Sequence, residues 1–534
     1  MREYLLPTRV IAGDKIANED TLFIHKGLYA TINYSPEQWK KYFKMEGKGA
    51  YVVLDFGMEM HGGARLITDW ISNAECKVRL RFGESLGEVN SSIGEKNAKN
   101  AHSPRDFEVL LCAYSDVTLG QTGFRFVRID LLEENYIYFK NIFCENVILA
   151  EIPIYTYQGS DERIAKIFET AKRTVDLCAS SGYIWDGIKR DRLVWAGDLA
   201  PEVMALTAIY GRLPVIENTM DMLTEISPLP KYMNGIYTYS MWWMIILADY
   251  YKEFGCKDYV KKHIPYFVGL LKQMDELVDE NGDLNKTIRY IVDWPTKDTA
   301  DELVGVRVIF LMAMNSAELL LNAFDLPLDK VKKIKEKLLK QPLQAQQMKQ
   351  VIALKYFATG ELTDGEYAKL IEGRAKGFST FMSYYVLTAI ASRDEQLAIE
   401  LMKEYYGAML DRGATTFWED FHMEWLDGSG SIDVLDDTKK DIHGDFGAHC
   451  YTGFRHSLCH GWSSGIIAFL VEDVVGIKIK EKGFKKIEIQ PMKNIDCIKC
   501  EVPTPYGVFG LETVLSASGK KQVQVRKPKG IDIE

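Results

Sequence analysis

One stretch of the chain concentrates groups able to do chemistry: Trp185-Asp186-Gly187-Ile188-Lys189-Arg190-Asp191-Arg192-Leu193-Val194-Trp195-Ala196-Gly197-Asp198. Three carboxylates, three basic residues and two tryptophans share fourteen positions between two runs of helical spacing. Charge alone leaves two readings open, a salt-bridge network or a ligand site. The tryptophans favour the site: aromatic faces stack on the C–H surface of a sugar while carboxylates accept from its hydroxyls. A second cluster is Thr415-Thr416-Phe417-Trp418-Glu419-Asp420-Phe421, in which aromatic neighbours can desolvate Glu419 and raise its pKa. The plain alternative is an exposed acid at a helix end. A long aperiodic stretch from Met423 to Leu458 follows, and loops of that length in compact domains are often functional. Five of the nine histidines lie between His422 and His460, so a metal must be weighed. Their spacings match no zinc pattern, and neither metal nor cofactor is expected. Eight of the ten tryptophans fall between Trp185 and Trp462, which places a saccharide site in the middle of the chain.

The elements that must hold these residues change along the chain. Residues 1–158 read as β structure: Val78, Leu80 and Phe82 alternate with Arg79 and Arg81, the period of a half-buried strand. YVVLDFG, FRFVRIDL and NVILAEIPIY are further strand-like runs, and a β-sandwich is expected. At Ser160 the period becomes helical, with Ser160 as the expected N-cap and Ile164, Ile167, Phe168, Ala171 and Val175 on one face. About a dozen helical segments occupy 159–475, including stretches near 239–254, 300–324, 344–359, 379–392 and 394–411. Twelve helices with loops of uneven length suit a double-layered (α/α)6 barrel, with an α-solenoid as the alternative. From 476 to 534 strands return in KKIEIQP, YGVFGLETVLS and KQVQVRK, a small C-terminal β-sandwich.

Composition bounds the partners. At 534 residues the chain exceeds one ordinary core, and its 47% hydrophobic and 26% charged content is that of a soluble globular protein. A net charge of −10 argues against nucleic acid or an anionic membrane surface as partner. The first residues, MREYLLPTRVIAGD, have no apolar run of secretory type, and the apolar stretch Tyr237–Tyr250 reads as a buried helix. Nine scattered cysteines form no disulfide framework, and Cys497 and Cys500 read as ordinary strand residues. The expected setting is cytoplasmic.

The clusters resemble glycoside hydrolase family 78, the α-L-rhamnosidases. The family's D-C-P-Q-R-E-R-L-G-W-T-G-D aligns without a gap on Asp186–Asp198, and its G-A-T-T-x-W-E on Gly413–Glu419. Its S-L-N-H matches Ser457-Leu458-Cys459-His460, and its G-D-W matches Val292-Asp293-Trp294. LDFGMEMHGGARLIT and RLRFGESLG look like the family's β domain ahead of the barrel. The resemblance implies an (α/α)6 catalytic barrel between β-sandwiches and hydrolysis with inversion. It places the general acid on Asp191 and the general base on Glu419. Asp186, Trp195, Asp198, Trp294 and His460 match residues that hold the rhamnose, and Arg190 and Asp293 lie in the same motifs. The substrate implied is a small glycoside or oligosaccharide bearing terminal α-L-rhamnose. Asp191 stands where the family usually has Glu, and D-C-P-Q becomes D-G-I-K, which puts Lys189 beside the site. Two other readings remain: an (α/α)6-barrel glycosidase for another deoxy sugar or a uronide, and a catalytically silent sugar-binding protein.

Overall fold

The computed structural model describes residues 1–26, 37, 40–190, 192–294, 300–448, 452–493, 495, 497–515 and 521–534. The N-terminal third is antiparallel β structure. The long strand β5 (Tyr51–Ile71) pairs along one edge with β8 (Asp116–Leu131) and along the other with β9 (Tyr136–Val147). The strand β6 (Glu75–Gly83) joins β8 with Leu80 opposite Ile129, and buries Cys76, Val78 and Leu80 as its alternation predicts. Hydrogen bonds join nine strands into one curled sheet. The 21-residue length of β5 lets it serve both edges, and register shifts between Asp55 and Met60 and between Gly62 and Ala64 bend it. The run NVILAEIPIY also differs from expectation. Only its first two residues are strand; the rest crosses to the helices, where the amides of Leu149 and Tyr155 donate to Asp176 O and Ile209 O.

Twelve α-helices follow among the described residues: α1 (Glu162–Cys178), α2 (Leu199–Tyr210), α3 (Pro214–Ile226), α4 (Tyr237–Phe254), α5 (Lys257–Met274), α6 (Glu302–Ala323), α7 (Asp329–Leu338), α8 (Lys349–Thr359), α9 (Asp364–Ile371), α10 (Ser383–Ala391), α11 (Glu395–Asp411) and α12 (Ile466–Phe469). The cap of α1 is Asp161 rather than Ser160; its carboxylate accepts from the amides of Arg163 and Ile164 at 3.0 and 3.2 Å, satisfying two orphan donors at once. The even-numbered helices pack in sequence, α2 on α4, α4 on α6, α6 on α8, α8 on α10, α10 on α12, and α12 back on α2. Such a helix is covered on every side, so its apolar residues need not keep to one face. Helix α4 buries Trp242 and Trp243 on neighbouring positions, and α6 runs apolar from Val308 to Met314. By length and composition α6 could cross a membrane, but two-thirds of its apolar window is buried inside the protein. The odd-numbered helices are amphipathic where they are most exposed, as in α1 and α7.

After α12 a four-stranded antiparallel sheet orders as β10 (Thr156–Gly159), β13 (Ile498–Thr504), β14 (Gly507–Leu515) and β15 (Lys521–Arg526). Its first strand therefore comes from just ahead of α1. Cys497, just ahead of β13, is exposed and Cys500, within it, is buried, and the cysteines described are free. The N-terminal sheet docks against the helices through Arg125, whose guanidinium binds Asp55 at 2.9 Å, Asp433 at 3.1 Å and Gly413 O at 3.2 Å.

Candidate active site

The pocket lies beside the N-terminal ends of α2 and α4. Asp186 closes its own loop: Oδ1 accepts from the amides of Gly187 and Leu193 at 2.8 and 3.0 Å. Its carbonyl accepts from Gly461 N at 2.7 Å, and Gly187 and His460 form an isolated antiparallel bridge. A Cβ at Gly187 would sit 3.0 Å from Cys459 O, so the close approach of these strands favours glycine. The Trp195 turn is held by Asn234, which accepts from Ala196 N and donates to Val194 O, both at 3.0 Å. Asp198 stands at the N-terminus of α2 and accepts from the Tyr239 hydroxyl at 3.2 Å.

Glu419 is almost fully buried and clamped from several sides. Arg190 donates to Oε1 at 2.7 Å, and its Nε reaches Arg455 O at 3.0 Å. The amide of Ser457 donates to Oε2 at 3.1 Å, while Glu419 N donates to Ser457 O at 3.0 Å. The carbonyl of Glu419 accepts from Trp462 Nε1 at 2.9 Å and from Thr380 Oγ1 at 2.7 Å. A buried carboxylate is costly without such partners, and a charge-assisted bond from Arg supplies the largest compensation.

Asp186, Trp195, Asp198, Trp294, Glu419 and His460 line one cavity with about 360 Å³ of empty space, part of it open to solvent. His460 Nε2 stands 3.8 Å from Glu419 and 3.9 Å from Asp198, beyond direct hydrogen bonding but between the two acids. Burial pushes the Asp198 carboxyl well above its usual range, and the charge of Asp186 adds to the effect. Glu202, one turn along α2, is likewise raised by burial, then by Asp198 and Asp186, and neither of its oxygens has a hydrogen-bond partner. Asp198 in the cavity wall, and Glu202 one turn further along the helix, thus favour the protonated form, while an arginine binds Glu419 in the same cavity.

Other expected residues sit elsewhere. Asp191, the expected general acid, lies outside the described residues. Arg190 is buried behind Glu419, and Asp293 is buried without lining the cavity. Lys189 turns away from the pocket, contrary to expectation. Its ammonium lies 3.0 Å from Glu84 and 3.2 Å from Glu88 and donates to Phe454 O and His456 O. Arg192 donates to Gln121 O at 2.9 Å and stacks over Trp185, whose ring packs on His61. Among the described residues it pairs with no carboxylate and does not line the cavity. Trp418 is wholly buried against Phe421. Sequence reasoning missed Tyr239, Arg289, Ile291 and Trp462 in the lining. Tyr239 and Ile291 look like core residues in sequence; Trp462, two positions past His460, was the one with a local signal.

Glu84, Glu88 and His443 could in principle hold a metal, since one ligand atom from each falls within 4.8 Å of the others. The Lys189 ammonium already lies against all three groups, 3.4 Å from His443 Nε2, and supplies the positive charge a cation would bring. The donor set therefore fits an internal ion-pair cluster better than a metal centre.

The cavity thus gathers carboxyl groups, tryptophan side chains and a histidine that stands between two of the acids. No protein-family profile and no curated protein matches the sequence. Solved structures do. The chain is similar to the GH78 family rhamnosidase of Bacillus sp. GL1, with a TM-score of 0.71 and 17% identity over 91% of this chain and 52% of that one. It is similar to a Klebsiella oxytoca rhamnosidase with rhamnose bound, with a TM-score of 0.65 and 16% identity over 88% of this chain and 95% of that one. For a Streptomyces avermitilis α-L-rhamnosidase complexed with L-rhamnose the figures are 0.68 and 14%, over 92% and 49%. The chain has the fold of these proteins. It spans about half the length of the Bacillus and Streptomyces proteins and nearly all of the Klebsiella one.

Proposed function

We propose that this chain is a glycoside hydrolase that removes terminal α-L-rhamnose from small glycosides or oligosaccharides with inversion. The observation that carries the reading is convergence. Asp186, Trp195, Asp198, Trp294, Glu419 and His460 come from four separate segments, each matched to a rhamnosidase sugar-site motif, and they line one cavity. Similarity to rhamnosidase structures, two of them with rhamnose bound, supports the same reading. The finer architecture belongs to it: an (α/α)6 barrel over 159–475, supported by the cycle of even-numbered helices, between β-sandwiches over 1–158 and 476–534.

In this mechanism Asp191 protonates the glycosidic oxygen and Glu419 draws a proton from the attacking water on the opposite face. Water attack from that face inverts the anomeric carbon. Arg190 and Ser457 N aim the two oxygens of Glu419, and the tryptophans offer faces to the sugar. Asp198 and Asp186 are placed to bind hydroxyls, and a protonated Asp198 can donate as well as accept. No cofactor or metal enters the scheme.

The replacement of the family's usual Glu by Asp191 favours one competing reading, a sugar-binding protein without turnover. A panel of chromogenic 4-nitrophenyl glycosides separates the readings. Cleavage of the α-L-rhamnoside in preference to α-L-fucoside and β-D-glucuronide is expected. Tight binding of rhamnose with no cleavage of any glycoside would overturn the enzymatic reading, and preference for another sugar would overturn the rhamnoside assignment.

A further inference from the structure

Glu84 lies behind the pocket, in the N-terminal β region, between the end of β6 and the short helix Leu86–Asn90. It is fully buried. Its Oε1 accepts from Ser457 Oγ at 3.1 Å. Its Oε2 accepts from Leu458 N at 2.6 Å and lies 3.0 Å from Lys189 Nζ. Both contacts lead directly to Glu419. Ser457, gripped by side chain, is the residue whose amide donates to Glu419 Oε2. Lys189, gripped by charge, immediately precedes Arg190, whose guanidinium donates to Glu419 Oε1. One carboxylate from the β region therefore fixes both segments that aim the two oxygens of Glu419.

We propose that Glu84 is a positioning residue for the base, holding Glu419 in its attacking geometry through Ser457–Leu458 on one side and Lys189–Arg190 on the other. The inference rests on the reading of Glu419 as general base. It makes the N-terminal sheet part of the catalytic apparatus rather than an attached module. The partners of Glu84 are more numerous than burial alone requires: its own amide also donates to Glu88 Oε2 at 2.9 Å, which pins the turn that carries it. Misplacing a reacting group by about 1 Å can cost about 100-fold in rate, so a clamp two bonds removed from the chemistry is worth keeping.

The full-length chain, with 4-nitrophenyl α-L-rhamnoside as probe, tests this. Glu84→Gln can keep one oxygen toward Leu458 N, but it loses the negative charge that faces the Lys189 ammonium, and an amide NH2 replaces the oxygen that accepts from Ser457 Oγ. It should lower kcat by about 10- to 100-fold with KM changed less than threefold. The acid limb of the kcat/KM profile should move upward, because Glu419 loses the Ser457 amide. The charged groups facing Glu419 are Arg190, His460, Asp198 and His456; those facing Glu84 are Lys189, Glu88 and Glu59, with His443 behind Lys189. None of the others is altered by the substitution. Ser457→Ala removes the side-chain grip but keeps the amide, so it should show the same change in kcat and pH limb to a smaller extent. Should Glu84→Gln fail to fold, Glu84→Gln/Lys189→Met removes the ion pair as a unit and takes its place. An active wild type with a folded variant whose kcat stays within about twofold and whose acid limb stays within about 0.2 pH units, roughly one-fifth of the energy of a tenfold change, would overturn this inference alone. A wild type that cleaves no rhamnoside would overturn the reading of Glu419 and this inference together.

Discussion

At the scale of single residues, the account turns on two carboxyl groups with different tasks. Asp191→Asn should be most damaging for glycosides with poor leaving groups, because an activated aryl leaving group needs little protonation. Glu419→Gln should be damaging for every substrate, since water attack is always required. Each loss should be on the order of 10²–10⁴-fold. Steady-state kinetics on a leaving-group series decides: equal losses for Asp191→Asn across the series would remove it as the acid. Arg190 is the second test. Its fork spans Arg455 O and Glu419, a geometry lysine cannot reproduce. Arg190→Met leaves a buried carboxylate unpaired, which typically costs about 3–5 kcal/mol. Arg190→Lys should recover only part of that in urea denaturation and little of the activity. Full recovery by lysine would mean that charge, not the fork, is what Glu419 needs.

At the scale of elements, α2 starts at the pocket with Asp198 and buries a second acid, Glu202, in its first turn. Asp198 and Glu202 lie one turn apart, and both favour the protonated form: burial opposes ionisation of each, the charges of Asp186 and Glu419 add to it at Asp198, and those of Asp198 and Asp186 add to it at Glu202. The sign follows from linkage. A carboxyl whose folded pKa exceeds its unfolded value of about 4 contributes stability that is full below that value and is lost as pH rises through the folded one. The wild type should therefore lose stability as pH rises through and above the ordinary carboxylate range. Glu202→Gln should remove part of that slope, at most about 1.4 kcal/mol per pH unit for one group. Denaturation midpoints measured from pH 4 to 9 check this, and an unchanged slope would mean that Glu202 is ionised in the folded protein. Gly461→Ala should be strongly destabilising, because its Cβ would overlap the Glu202 carboxylate. Much of this was legible beforehand. The loop Asp186–Asp198 and the segments at Glu419 and His460 carry contiguous motifs, and the helices announce themselves by period. Tyr239 was not legible, because in a helix covered on all sides every apolar position looks like core. The direction of Lys189 was not legible either, since its partners Glu84 and Glu88 are about a hundred residues away in sequence. Likewise, alternation identifies strands but not which edges pair, so the single nine-stranded sheet followed only from register.

At the scale of the molecule, the β region, the ring of helices and the long loop between Met423 and Leu458 meet behind one pocket. The loop contributes His443, His456 and Ser457 to that junction, and Ser85 binds His443 at 2.8 Å across it. The central claim is that this assembly hydrolyses a terminal α-L-rhamnoside by single displacement. Proton NMR of the full chain acting on 4-nitrophenyl α-L-rhamnoside in D₂O tests it most directly, read at the anomeric protons before mutarotation equilibrates them. The account predicts that β-L-rhamnose appears first and that Glu419→Gln abolishes the signal. Release of α-L-rhamnose first, or no release at all by the wild type, would contradict it.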